Sequence, residues 1–245
     1  MKYLKYISII LFVFVLTFMG LFPQFIRCYL VAFDDFQEIK KGVFVEKTTS
    51  KKQQDSLINY IEKARNRVKS FWGSHEGKAK IIFCKNSKTY QNYAKTTEGA
   101  GFSVGTPLGS WIILNQEGLN VDVLAHEMCH DELMTKLGWW TTKREIPTWF
   151  DEGLALMLDY RFVATQDSIQ RYIDYRTELN YISPMPIPLN ELNTQKDFFG
   201  QSEGFTKIAY FTSAVAVSRK ISLKGRKEVF IIIEKTKKEG KFPNL

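Results

Sequence analysis

Two histidines and a glutamate form the clearest chemical pattern in this chain. His126 and His130 lie four residues apart, with Glu127 between them in the sequence His-Glu-Met-Cys-His. In a helix, residues four apart share one face, so both imidazoles can bind one metal ion. Glu127 is rotated by about 100° from His126 yet stays beside the open metal position. There it can act as the general base for a metal-activated water.

The spacing alone does not establish a metal site. The chain contains three histidines, and a pair at this spacing arises by chance in some proteins of this length. Zinc in hydrolases takes three protein ligands and keeps one position for water. The two histidines therefore leave one ligand to be found elsewhere in the chain.

A second segment resembles part of a known class of metallopeptidases. Residues 147–155 read Pro-Thr-Trp-Phe-Asp-Glu-Gly-Leu-Ala. This is similar to the P-x-W-[LF]-x-E-G-L-A stretch of gluzincins, especially the peptidase MA-like family, with thermolysin and aminopeptidase N as more distant relatives. In these families a second helix crosses the first and presents a glutamate to zinc. The resemblance implies that Glu152 is the third ligand and that Trp149 and Gly153 pack at the helix crossing.

The same resemblance extends from about residue 78 to the end of the chain. It implies that 110–115 is an edge strand that binds an extended peptide or protein substrate by backbone pairing. It also makes Tyr210, which lies 58 positions after Glu152, a candidate for stabilising the oxyanion. An equally good interpretation is that Tyr210 lies on a helix and packs in the hydrophobic core of the protein.

The sequence departs from the family pattern in the groups that orient the histidines. Thermolysin-like enzymes carry an aspartate four residues after the glutamate ligand, where this chain has Leu156. Since a metal-bound histidine needs a hydrogen-bond acceptor for its other nitrogen, Asp122 and Asp159 are the candidates. The peptide-anchoring motif of aminopeptidases is not visible, and His75 is interpreted as a surface residue.

We therefore expect a Zn²⁺-dependent peptidase, with Glu127 and Tyr210 in catalysis and His126, His130 and Glu152 on the metal. One alternative is a deformylase-like site in which Cys84, 42 positions before His126, is the third ligand. A second alternative is a non-catalytic, membrane-anchored binding or scaffold protein with a peptidase-like fold, since a fold and a site do not prove turnover.

Periodicity places the motif in an α+β domain, and the resemblance to gluzincins implies that its fold is zincin-like. We expect a small mixed sheet with an edge strand packed on the helix that carries both histidines, followed by a mostly helical carboxyl-terminal half. Glycines between residues 99 and 109 indicate turns. The predicted strands are 42–47, 78–84 and 110–115, and the predicted helices are 57–71, 87–93, 119–137, 149–160, 168–179, 205–222 and 226–238.

The amino terminus resembles a membrane or export segment. Lys2 and Lys5 precede an uncharged apolar run at 7–22, and no small residues suited to signal cleavage follow it. We predict an uncleaved membrane anchor with an extracytoplasmic domain, and a secreted protein as the alternative. The predicted organisation is an anchor or signal at 1–28, a juxtamembrane segment at 29–47 and a zincin-like metallopeptidase domain at 48–245.

Charge and cysteine content add few constraints. The net charge is +8, from 34 Lys and Arg against 26 Asp and Glu, and its scatter along the chain is typical of a solvated surface. No zinc-finger, RNA-recognition or helix-turn-helix pattern indicates a nucleic-acid partner. Cys28, Cys84 and Cys129 make no disulfide framework, and nothing requires a bridge between Cys28 and Cys84. The sequence leaves the oligomeric state open.

Overall fold

A computed structural model describes Tyr6, Gly20 and residues 22–96, 99–183 and 185–243. Within these residues the chain is a mixed α+β protein with a five-stranded sheet in the order β1-β2-β3-β5-β4, which confirms the predicted class. The central pairs β2–β3 and β3–β5 are parallel, and the outer pairs β1–β2 and β5–β4 are antiparallel. The strands are β1 Phe36–Lys40, β2 Val43–Glu46, β3 Lys80–Phe83, β4 Gly101–Thr106 and β5 Gly109–Leu114.

Helices cover both faces of the sheet and make up most of the second half of the described chain. Short 3-10 turns lie at Val31–Phe33 and Leu189–Leu192. The α-helices are α1 Pro23–Tyr29, α2 Lys51–Trp72, α3 Ser87–Ala94, α4 Val121–Leu137, α5 Trp139–Glu145, α6 Thr148–Ala155, α7 Ser168–Ile182, α8 Gln195–Phe199, α9 Glu203–Lys224 and α10 Lys227–Glu239.

Local sequence explains the long helix α2. The Ser50 side chain accepts a hydrogen bond from the backbone N–H of Gln53, and the Gln53 side chain accepts one from the backbone of Ser50, which is a capping box. Gly73 ends the helix in the left-handed conformation, with φ of 81°. The predicted apolar face, including Leu57 and Ile61, is buried. This face packs against α4.

Strand β5 separates two hydrophobic cores because its side chains alternate between the sheet faces. Ile112 and Leu114 join the larger core with α2, α4 and the carboxyl-terminal helices. Trp111 and Ile113 join a smaller core with α1 and α3. Residues 36–46, which the sequence assigned mostly to a juxtamembrane segment, contribute β1 and β2 to this sheet.

The prediction that 110–115 is the edge strand is wrong. That segment is β5, which lies between β3 and β4, and β4 is the edge on this side of the described sheet. The glycines of β4 suggested turns, but Gly101 and Gly105 have ordinary negative φ values. Glycine is required at these positions because α4 approaches the strand closely. A Cβ on Gly105 would collide with the Met134 sulfur.

The helix predicted at 149–160 ends early, at Ala155. The backbone carbonyl of Leu156 accepts hydrogen bonds from Arg171 at 3.0 Å and from the Tyr175 hydroxyl at 2.9 Å. These hydrogen bonds from α7 take the place of the helical hydrogen bond of the Leu156 carbonyl, and the chain turns after this residue. Asp159, in the turned segment, is fully buried.

The prediction of a membrane-anchored, extracytoplasmic domain is also wrong. Among the described residues, no helix is both long enough and apolar enough to cross a bilayer. The two longest, α2 and α9, carry charged side chains that a hydrocarbon core disfavours. Except for Gly20 and Phe22, the apolar run 7–22 lies outside the described residues.

Candidate metal centre

Helix α4 carries the histidine motif, as the sequence predicts. The Asn120 side chain accepts a hydrogen bond from the Val123 N–H at 2.9 Å, which caps the helix start. Gly138 ends the helix by donating its N–H to the Met134 carbonyl. The intervening helix is buried over most of its length, so the motif points into the molecule rather than into solvent.

Helix α6 brings the third candidate ligand to this helix. Gly153 lets α6 lie close to α9, since a Cβ at Gly153 would stand only 2.5 Å from the Ser213 carbonyl oxygen. Trp149 is buried beside Phe242. The resemblance placed both residues at the crossing with α4, but Gly153 instead packs against α9 and Trp149 lies beside the carboxyl-terminal segment. This packing positions Glu152 against α4.

Three side chains converge in a geometry that suits one metal ion. A Glu152 carboxylate oxygen, Oε2, lies 3.3 Å from Nε2 of His126 and 3.7 Å from Nε2 of His130. One ligand atom from each residue lies within 4.8 Å of the others. Tetrahedral zinc with bonds near 2.0–2.1 Å separates its ligand atoms by about 3.4 Å. The spacing between the carboxylate and each imidazole is close to that value.

The polar atoms of this group also lack ordinary partners. Glu152 Oε2 is buried and has no hydrogen bond within the described part of the chain. The two Nε2 atoms face this oxygen without hydrogen-bond geometry, and a cation between the three residues would bind all three atoms. The buried His126, His130 and Glu152 group can therefore bind a metal ion, and its two nitrogens and one oxygen are a donor set common for zinc.

A second set of carboxylates orients the imidazoles. Asp151 Oδ1 lies 2.6 Å from Nδ1 of His130. Asp159 Oδ2 lies 3.5 Å from Nδ1 of His126, an ion-pair distance, and Arg161 binds both carboxylate oxygens of Asp159 at 2.5–3.1 Å. Each histidine thus has a carboxylate at the nitrogen remote from Glu152, through a hydrogen bond for His130 and an ion-pair contact without hydrogen-bond geometry for His126.

Asp159 is one of the two acceptors that the sequence suggested, and Asp122 is not in this role. Asp122 instead accepts hydrogen bonds from Arg67 at 2.5 Å and from the Tyr160 N–H at 3.1 Å. Asp151 was missed because it adjoins Glu152, and neighbouring residues on a helix point about 100° apart. The signal available in the sequence was the paired Asp-Glu in an otherwise apolar helix.

These carboxylates determine the protonation of the metal-free site. Burial lowers the pKa of His126, but Asp159 and Glu152 outweigh it and raise that pKa to about 10. Burial likewise lowers the pKa of His130, while Asp151 and Glu152 raise it to about 9. Burial raises the pKa of Glu127, and the two histidines lower it in part. In the absence of metal, both imidazoles are therefore protonated at neutral pH.

Metal affinity should accordingly rise steeply with pH. Both imidazoles must lose a proton to bind metal, and their pKa values of about 10 and about 9 lie above pH 8. We expect the apparent zinc affinity to increase by up to about a hundredfold per pH unit between pH 6 and pH 8. Competition with a chelating dye at pH 6, 7 and 8 measures this slope. An affinity that levels off above pH 7, as ordinary histidines would give, contradicts the assignment.

The metal group opens onto a cleft of about 610 Å³. Glu127 lies in its wall, 7% exposed, beside the two histidines and Glu152. Strand β4 forms the opposite wall, through Gly101, Phe102 and other residues of the strand. The cleft therefore places a buried carboxylate, a candidate metal site and a strand edge around one accessible space.

Gly101 fixes the distance between β4 and Glu127. A Cβ at this position would lie 2.8 Å from Val123 Cγ1 and 2.9 Å from Glu127 Cγ. We expect Gly101→Ala to lower the free energy of unfolding by about 1–3 kcal/mol through overpacking, measured by urea denaturation. Gly204→Ala is the matched control, because a Cβ there meets no atom within 4 Å. Equal stability of Gly101→Ala and Gly204→Ala would show that the contact is not tight.

Tyr210 and Cys84, the remaining candidates, lie in different places. Tyr210 lines the same cleft as Glu127 and Glu152. Burial raises the pKa of Tyr210 well above its usual value, and the charges of these two carboxylates add to the shift. Cys84 is fully buried in the smaller core, and the described metal group does not contain it. All three cysteines are free thiols.

Comparison of the chain with protein-family models, with curated proteins and with solved structures gave no match. Function is therefore inferred from the residues and geometry of this centre.

Proposed function

We propose that the chain is a zinc-dependent peptidase of the gluzincin type with a zincin-like domain. The observation that carries this proposal is the convergence of His126, His130 and Glu152 within bonding range of one ion, with Glu127 beside them in an open cleft. Three protein ligands and one open position are the arrangement of catalytic zinc rather than of closed structural sites.

The metal ligands and their partners prepare the site for hydrolysis. His126, His130 and Glu152 would hold the ion, and Asp159 and Asp151 keep the two imidazoles oriented through their remote nitrogens. When bound, zinc supplies a Lewis acid and lowers the pKa of a water molecule. The remaining chemistry belongs to side chains of this protein.

Glu127 is the proposed general base and acid. Its carboxylate takes a proton from the attacking water and delivers it to the amine that leaves when the peptide bond breaks. Burial raises the pKa of Glu127 toward the range in which a carboxyl group can both accept and release a proton near neutral pH. This supports the role.

Strand β4 is the proposed binding edge for a peptide or protein substrate. The Asn115 N–H donates to the Ala100 carbonyl, 3.2 Å away, and antiparallel pairing alternates along the strands. Gly101, Ser103 and Gly105 therefore direct their backbone groups away from β5, toward the cleft. An extended peptide can pair with Gly101 and Ser103 and present its carbonyl groups to the metal site.

Tyr210 is the proposed donor to the oxyanion. Its high pKa keeps the hydroxyl protonated at neutral pH, so that it can donate a hydrogen bond to the negatively charged oxygen of the tetrahedral state. Its place in the cleft wall with Glu127 and Glu152 supports this role.

A protease assay with metal exchange tests the proposal. Purified protein is incubated with a peptide library, with a chelator, and with the chelator followed by zinc. We expect cleavage that the chelator abolishes and zinc restores. Stoichiometric zinc without any cleavage across the library would instead favour a non-catalytic binding protein and overturn the proposal.

A further inference from the structure

A second cleft of about 500 Å³ opens on another side of α4, where β2 and β3 begin. It shares no lining residue with the cleft of the metal centre. Its walls are rich in basic side chains from the β1–β2 turn, α2 and the segment before β3. We call it the basic cleft, defined by Lys41, Arg65, His75, Lys78 and Lys80.

Arg65 is the unusual member of this cleft. It is half-buried, and its Nε is fully buried without a hydrogen-bond partner. No carboxylate among the described residues lies within ion-pair distance of its guanidinium group. The positive charge of Arg65 at the cleft wall is therefore not compensated by a described side chain, and an anion bound in the cleft would compensate it.

The two acidic residues of the cleft are already engaged by neighbouring groups. Asp131 accepts hydrogen bonds from the Ala79 N–H at 2.8 Å and from the Ser110 hydroxyl at 2.6 Å. Glu38 accepts one from the Gly42 N–H at 2.6 Å. These contacts fix the walls of the cleft and leave Arg65 free for an external ligand.

The segment that carries His75 and Lys78 is also held in place. Glu132 is fully buried, and its Oε2 accepts hydrogen bonds from the N–H groups of Glu76 and Gly77, both at 2.8 Å. A loop anchored in this way does not have to be ordered when a ligand binds, which reduces the free-energy cost of binding.

From this arrangement we propose that the basic cleft binds a phosphate group, either free or as a small phosphomonoester. Lys41, Arg65, Lys78 and Lys80 against Asp131 and Glu38 give the lining a formal charge of +2, with His75 left out of the sum. That charge matches a dianion. A guanidinium fork binds two oxygens of a phosphate at once. The volume lies within the range of pockets for small molecules, roughly 300–1,000 Å³.

The test is calorimetric titration at constant ionic strength, with inorganic phosphate in one arm and glycerol 3-phosphate in the other. Each arm uses the zinc-loaded and the chelator-treated protein. We expect Arg65→Gln to weaken binding by at least about tenfold in both forms. Arg176→Gln, which removes an exposed arginine of α7, should bind as the wild type does. Tighter binding in one arm identifies free phosphate or the ester as the ligand.

Two results would overturn the phosphate site. One is no binding in either arm. The other is binding that Arg65→Gln leaves unchanged, and if chelation also abolishes that binding, the phosphate is on the metal. If Arg65→Gln does not fold by circular dichroism, Lys80→Gln replaces it, with a smaller but measurable loss expected. Unchanged affinity of Lys80→Gln would then refute the proposal.

Discussion

Replacing Glu127 with glutamine should lower peptide hydrolysis by roughly 10²–10⁴-fold while zinc binding is retained. The amide keeps the size of the side chain, which lies against Gly101 in the cleft wall. It cannot accept a proton from water, so only the step assigned to Glu127 is lost. Rates on a fluorogenic peptide and metal content by elemental analysis measure the two effects separately.

The matched control for this variant is Glu117→Gln, which changes an exposed glutamate in the loop before α4. It removes the same charge without touching the cleft, so activity should remain at the wild-type level. Undiminished hydrolysis by a zinc-loaded Glu127→Gln protein would show that Glu127 is not the base. Loss of both zinc and activity would show that the residue acts on the metal instead.

Replacing Glu152 with alanine should weaken zinc binding by about a hundredfold or more. Structural zinc sites in zinc-finger peptides bind the ion with roughly 10–16 kcal/mol in total, so one ligand of several accounts for a few kcal/mol. The Glu152 Oε2 atom lies 3.3 Å and 3.7 Å from the Nε2 atoms of His126 and His130, so an ion bound to both imidazoles would lose its carboxylate ligand in this variant. Hydrolysis should fall with metal occupancy and recover partly at high zinc concentration.

Cys84→Ala is the comparison that separates the two ligand assignments. Cys84 is buried in the smaller core, so its replacement should cost stability through a small cavity but leave zinc affinity unchanged. If Cys84→Ala loses zinc and Glu152→Ala retains it, the deformylase-like alternative is correct and the gluzincin assignment fails.

The helix of the metal motif could be predicted because its signals are local. Gly138 ends α4 directly after the predicted boundary at residue 137, and His126 and His130 need only helical spacing to share a face. The α+β class could be predicted for the same reason, from strand and helix periods along the chain.

The edge strand could not be predicted, since its sequence is determined by a contact with a distant helix. Gly101 and Gly105 of β4 indicate turns when read locally, yet they are small because Val123, Glu127 and Met134 of α4 approach the strand. Propensity describes the preference of a segment in isolation, and tertiary packing overrides it here.

The partners of the histidines were only half predictable for a related reason. Asp159 was one of two candidates, and its position depends on hydrogen bonds from α7 that end the preceding helix early. Asp151 reaches His130 only because of the angle at which α6 meets α4. Sequence spacing contains no information on that angle.

X-ray absorption spectroscopy of the zinc-loaded protein at the zinc edge tests the metal site most directly. The geometry of His126, His130 and Glu152 predicts one zinc per chain, with two imidazole nitrogens and carboxylate oxygen at about 2.0–2.2 Å. In Glu152→Ala the spectrum should lose the carboxylate contribution. A sulfur neighbour near 2.3 Å, or a protein that binds no zinc in stoichiometric amount, would contradict the site and the peptidase proposal with it.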